Sequence, residues 1–118
     1  MRPLNIAAAL SGLLALGFLV AAAHPLRDAL APADLERIEL AAFVQLGAAC
    51  AGLALANRSG LLNLIAGGLI LGGAALFAGA LYAISLTGSH AFAMLAPVGG
   101  SALIIGWAVL AFAKPSQS

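Results

Sequence analysis

The sequence predicts an all-α protein: a four-transmembrane-helix bundle with short loops and an interfacial segment between helices 1 and 2. Three observations predict it. Of 118 residues, 64% are hydrophobic and only 8% are charged, whereas a soluble domain carries about 25% charged residues to face water. The mean hydropathy is +1.12. The apolar residues also fall into four runs, about 4–23, 37–56, 61–86 and 92–113, separated by short polar breaks, and a membrane span needs about 20 apolar residues. Four spans use up the chain, so 1–118 is expected to be a single membrane domain.

The first run, Leu4 to Ala23, follows Arg2. It has a rival reading as a secretory signal, with Ala21, Ala22 and Ala23 as a small-residue cleavage site. Its apolar stretch exceeds the roughly 7–15 residues of a signal's middle region, so it is expected to stay as a span. His24 to Arg37 is the longest charged region. Pro25 and Pro32 interrupt it, and Asp34 stands where a helix N-cap belongs. Leu26, Leu30 and Leu35 within it suit a segment lying in the membrane interface. A second span follows and ends at the turn Asn57-Arg58-Ser59-Gly60.

The third run is the longest. As a helix it would reach about 39 Å against a hydrocarbon core of about 30 Å, so it must tilt, bend at its glycines or begin late, near Asn63. The fourth is expected to start near Ala91, before Pro97, and to break at Pro97-Val98-Gly99-Gly100. A start at Pro97 itself would suit a first helical turn but leaves a short span.

Between helices in lipid, close backbone approach replaces the hydrophobic drive. Gly68 and Gly72 form a GxxxG step, extended by Ala75 and Gly79, and this stripe is expected to pack helices. In the second span Ala41, Ala42, Gln45, Ala48, Ala49, Gly52 and Ala56 share one helical face. Phe43, Leu46, Cys50 and Leu53 lie on the other, toward lipid. Gln45 therefore points into the bundle, where its amide needs partners. It serves either as an interhelical hydrogen bond or as the lining of a polar pocket.

One charged constellation stands out: His24 and Arg27 after the first span, with Glu36 and Glu39 entering the second. The two glutamates are three apart and repel unless a cation answers them; Arg27 or His24 could do so. Such a set is either an interfacial ion pair that fixes the loop or a proton- or ligand-linked site. His90 reads as a solvated loop residue. Tyr82 and Trp107 read as interfacial anchors or bundle packing, and Trp107 with the Pro97, Gly99 and Gly100 break could line a cavity. No metal site is expected: the histidines are far apart in sequence, and one cysteine, Cys50, excludes a disulfide or a zinc-type cluster. No cofactor is expected either. Ser85, Ser89 and Ser101 have no His–acid pair nearby, and no phosphate-cradling loop or nucleophile elbow is present.

The order of His24-Pro25-Leu26-Arg27-Asp28, Gln45, Gly79-Ala80-Leu81-Tyr82, Leu86-Thr87-Gly88, Pro97-Val98-Gly99-Gly100 and Gly106-Trp107 resembles the DUF423 family of small membrane proteins. The resemblance covers nearly the whole chain. It implies a four-helix protein of the bacterial inner membrane (mitochondria in eukaryotes) with no established biochemical activity. The chain departs from the family pattern at four places. Val44 replaces a tyrosine, Ala48 a histidine, Ala78 and Ala80 flank Gly79 in place of serines, and Ala96 replaces a threonine. Each departure removes a polar group from the membrane interior.

A net charge of +1 gives no reason to expect a nucleic-acid partner. The expected partners are the lipid bilayer and either a second copy or another membrane protein. Arg2, Arg58 and Lys114 share one side of the four-span topology, while Arg27, Arg37 and all the acidic residues share the other, so both termini are expected to be cytoplasmic. The functional expectation is a non-enzymatic protein with an assembly, helper or lipid-packing role. The alternative is a small transporter or channel subunit with a polar site near Gln45 and the 24–39 loop. In span number the chain is similar to the small multidrug-resistance exporters, which carry a membrane-embedded glutamate in the first span. Here that span offers only Asn5 and Ser11 as polar side chains, which argues against proton-coupled export.

Overall fold

The computed structural model describes residues 2–114. They form four helices in chain order: α1 (Arg2–Ala23), α2 (Pro32–Leu55), α3 (Leu61–Thr87) and α4 (Leu95–Phe112). Each is long and apolar enough to cross a membrane, and no strand occurs among the described residues. The all-α, four-transmembrane-helix architecture is as the composition requires.

The helix limits follow from local chemistry. Pro32 occupies the first turn of α2 and Ala31, in extended conformation, precedes it; a proline there loses no helical hydrogen bond. The second span therefore starts about five residues before the expected 37. Asp34 lies inside its first turn rather than at the N-cap, where it complements the helix dipole. Glycine sets both ends of α3. Gly60 (φ 105°) precedes it, and Gly88 (φ 72°) closes it with an N–H bond to the Ile84 carbonyl at 2.9 Å, the left-handed cap that glycine adopts without a Cβ penalty.

The fourth helix corrects one expectation. It runs unbroken from Leu95 to Phe112, through Pro97, Val98, Gly99 and Gly100. Pro97 is the third helical residue, where the backbone N–H has no intrahelical partner to lose. The Pro-Gly-Gly element is a first turn followed by a crossing point, not a kink.

Neighbouring helices pack as antiparallel pairs: α1 on α2, α2 on α3 and α3 on α4, with a smaller α1–α3 contact. Of the helices, α4 touches only α3, so α3 is the hub of the fold. The α1–α2–α3 junction is tight. A methyl group built on Gly52 would lie 2.9 Å from Leu71 Cδ1 and 3.0 Å from Ala8 Cβ. The α3–α4 seam is tighter still, because one built on Gly73 would lie 2.7 Å from the Gly99 carbonyl oxygen and 2.8 Å from the Leu103 nitrogen. Gly106 meets Ile70 in the same way farther along.

The packing stripe expected at Gly68, Gly72 and Gly79 is corrected here. All three are exposed, and no other helix comes within 4 Å of a methyl group built on any of them. The chain packs on itself through the adjacent rows instead, at Ala66, Gly67, Ile70, Gly73, Ala74 and Ala78. The partner glycines on α4 select that face.

Two core clusters result. One joins Leu4, Ala8, Ala48, Leu55, Ala66, Ile70, Leu71 and Ala74. The other, toward the 24–31 turn, joins Ala22, Ile38, Ala41, Ala78 and Tyr82, with Leu26, Leu30 and Leu35 folded over it. The leucines of the expected interfacial segment thus close one end of the helices. The whole expected inner face of the second span, from Ala41 to Ala56 with Gln45, is buried, while Phe43, Cys50 and Leu53 are exposed and Leu46, expected on the lipid face with them, is half-buried.

Candidate functional site

Inside the helices the main polar feature is a pair. Gln45 on α2 and Tyr82 on α3 are both buried, at 4% and 7% exposure. The Tyr82 hydroxyl donates to Gln45 Oε1 at 2.8 Å. Phe18 of α1 stacks on the Tyr82 ring, with centroids 3.7 Å apart and planes 11° off parallel. Three helices therefore meet at one tyrosine, and its polar end is answered by the one amide on the inner face of α2. Sequence reasoning singled out both Gln45 and Tyr82 but not their contact, and nothing in the pattern of α1 marked Phe18 as the third member.

Two further polar side chains are buried, Asn63 and Ser85. Asn63 Nδ2 donates to the carbonyls of Ser59 and Lys114, each at 2.9 Å, and its oxygen accepts from Arg58 at 3.3 Å. That ties the start of α3 to the chain just beyond α4. Ser85 Oγ accepts from Arg37 at 3.3 Å, linking α2 to α3 at the opposite end. A short polar side chain one turn inside a helix, beside a Ser-Gly turn, was the available signal for Asn63. No buried side-chain nitrogen or oxygen among the described residues lacks a hydrogen-bond partner.

The charged constellation splits. Arg27, Glu36 and Glu39 line a groove of about 600 Å³ between the end of α1 and the start of α2, whose apolar wall includes Leu19, Ala22 and Leu35. His24 is exposed and does not line it. Gln45 does not line it either, so the expected site reaching from the 24–39 loop to Gln45 is two separate features. The one ion pair among the described residues is Arg37 to Asp34, at 2.7 Å across one helical turn. Neither Arg27 nor His24 pairs with the glutamates, although Arg27 lines the same groove.

The remaining candidates have structural places. Gly99 is buried against Gly73 and Phe77, and Gly100 is half-buried beside Phe77. Pro97 is exposed. Trp107 is 50% exposed on α4, ten residues along the same helix from Pro97. His90 is an exposed turn residue. No group of three or more metal-ligating side chains comes together among the described residues.

A family model described as "Protein of unknown function (DUF423)" matches residues 20–100. The matched stretch holds the charged residues of the groove, the Gln45–Tyr82 pair and the Gly73–Gly99 crossing. No solved structure matches the chain.

Proposed function

The chain belongs to the DUF423 family, and from that premise we propose that it is a non-enzymatic multi-pass membrane protein with an assembly, helper or lipid-packing role. The observation that carries this reading is the use made of polar groups within the helices. The Tyr82 hydroxyl and the Gln45 oxygen satisfy each other across the α2–α3 interface. In lipid such a bond acts as glue between helices, and a group so engaged does not line a path for solute. The outer surfaces point the same way. Leu13, Val20, Ile104 and Phe112 on α1 and α4 are exposed, so the two flanking helices present apolar surface to lipid or to a neighbouring membrane protein.

The family and the charge pattern support a place in the bacterial inner membrane with both termini in the cytoplasm. Arg58 and Lys114 flank the end of the molecule at which α3 begins and α4 ends, while every acidic residue lies toward the other end.

Reconstitution tests the reading. In proteoliposomes the full chain is expected to raise neither proton nor solute flux above that of empty vesicles. Crosslinking in native membranes is expected to trap it with itself or with a second membrane protein. Flux that disappears in Gln45→Ala, with helix content retained, would replace this reading by the transporter alternative.

A further inference from the structure

We propose that the groove between the end of α1 and the start of α2 binds the headgroup of a zwitterionic phospholipid with a primary ammonium, its phosphate on Arg27 and its ammonium on Glu36 and Glu39. The inference rests on the membrane-embedded reading above and gives its lipid-packing role a defined ligand class.

Charge is the first argument. Arg27, Glu36 and Glu39 line one groove, and none of them forms an ion pair with another described residue. Arg37, the nearest alternative cation on α2, is committed to Asp34 and reaches Ser85. Two glutamates three positions apart on one helix repel each other, and a single ammonium between them removes that repulsion. Guanidinium in turn suits phosphate, which it can engage through two parallel hydrogen bonds. A ligand carrying both signs a few bonds apart, as a phosphate and an ammonium joined by a two-carbon link, answers all three side chains together. A simple cation or a simple anion answers only part of the set.

Depth is the second argument. The 24 residues of α2 rise about 36 Å, against a hydrocarbon core of about 30 Å. The excess, about 6 Å or roughly one turn, puts Glu36 near the boundary of that core and Glu39 about one turn deeper on the groove side. Leu19, about one turn farther from the end of α1 than Ala22, gives the groove an apolar wall on its hydrocarbon side, a surface that acyl chains fit. The volume, about 600 Å³, falls in the usual range for small-molecule sites, about 300–1,000 Å³.

The lining also discriminates between ammonium types. Quaternary ammonium groups are recognised by aromatic faces, whereas a primary ammonium donates three hydrogen bonds to acceptors such as carboxylates. The groove offers two carboxylates, and no aromatic ring is among its lining residues. Phosphatidylethanolamine chemistry fits; phosphatidylcholine chemistry fits less well.

The test is lipid retention by the full chain in detergent micelles, read by native mass spectrometry. The micelles carry equal amounts of phosphatidylethanolamine, phosphatidylcholine and phosphatidylglycerol of matched acyl chains. The unmodified chain is expected to retain phosphatidylethanolamine in preference to both others. The double variant Glu36→Gln/Glu39→Gln is expected to lower the ethanolamine-to-glycerol ratio about fivefold. Arg27→Gln, in an exposed turn, is expected to lower retention of all three phospholipids and serves as an independent arm should the double variant lose helix content. Asp28→Asn removes an acid from the same end of the molecule but outside the groove, and is expected to leave the ratio unchanged. An unchanged ratio in the double variant would overturn the proposal. So would an equal drop in Asp28→Asn, which would reduce the effect to bulk charge. Displacement of the lipid by an equal concentration of water-soluble phosphoethanolamine would do so as well, by making the ligand a soluble one. None of these outcomes bears on the crosslinking or flux results that test the broader role.

Discussion

Gly73 of α3 and Gly99 of α4 meet backbone to backbone: a methyl group built on either would run into the other's carbonyl oxygen, at 2.7 Å and 2.5 Å respectively. Since α4 touches no helix but α3, this crossing and the Gly106–Ile70 contact govern how the fourth helix is attached.

Gly73→Ala is accordingly expected to destabilise the α3–α4 pair by about 1–3 kcal/mol, the usual range for overpacking a tight contact. Gly72→Ala, one residue away and facing open space, is expected to change stability little. Unfolding in mixed detergent micelles measures both. Equal losses in the two variants would show that the crossing is not where α4 is held.

The polar pair offers a second test. Tyr82→Phe removes the donor to Gln45 and leaves a buried amide oxygen without a partner, for an expected loss of about 1–2 kcal/mol. The double variant Tyr82→Phe/Gln45→Leu is expected to recover part of that loss, because no unsatisfied group then remains in the apolar interior. A double-mutant cycle in the same micelles gives the coupling. Additive effects would mean that the hydrogen bond contributes nothing.

At the other end Asn63 holds two carbonyls and a guanidinium. Asn63→Ala is expected to speed hydrogen exchange at the Arg58–Gly60 turn and beyond Phe112, while leaving exchange around Tyr82 unchanged. Uniform acceleration along the chain would instead indicate a global loss of stability.

The inner face of α2 was legible from sequence because a single amide and a run of alanines at helical spacing admit one orientation. Helix α3 was not legible in that way. Its glycines at 67, 68, 72, 73 and 79 supply two overlapping small-residue rows, and periodicity cannot choose between them. The choice is made by Gly99 and Gly106 on another helix, and a tertiary partner of that kind leaves no trace in a local pattern. The course of α4 was misread because Pro97 was taken as a breaker at a position where the helix needs no N–H. Of the candidate polar site, the charged groove residues and the Gln45–Tyr82 pair were all named as residues. Their division into two features follows from α2 itself: Glu36 and Gln45 are nine residues apart, about half a turn out of register, so they stand on opposite faces of the helix.

The sole cysteine gives a simple control. Cys50 is exposed on the outer face of α2, a face the fold turns toward lipid. It is expected to resist a membrane-impermeant maleimide in intact membranes, since a charged, water-soluble reagent does not enter the hydrocarbon, and to react once detergent-denatured. Prompt labelling in the intact bilayer would place that face in water.

The central claim is that four helices cross the membrane, and labelling the two turns that flank α3 tests it most directly. In a Cys50→Ala background, single cysteines at Asn57→Cys and His90→Cys are exposed to an impermeant maleimide on intact cells and again after permeabilisation. The account expects His90→Cys to label on intact cells and Asn57→Cys to label only once the membrane is opened. Labelling of both positions on intact cells, or of both only after permeabilisation, would contradict a spanning α3 and with it the four-span architecture.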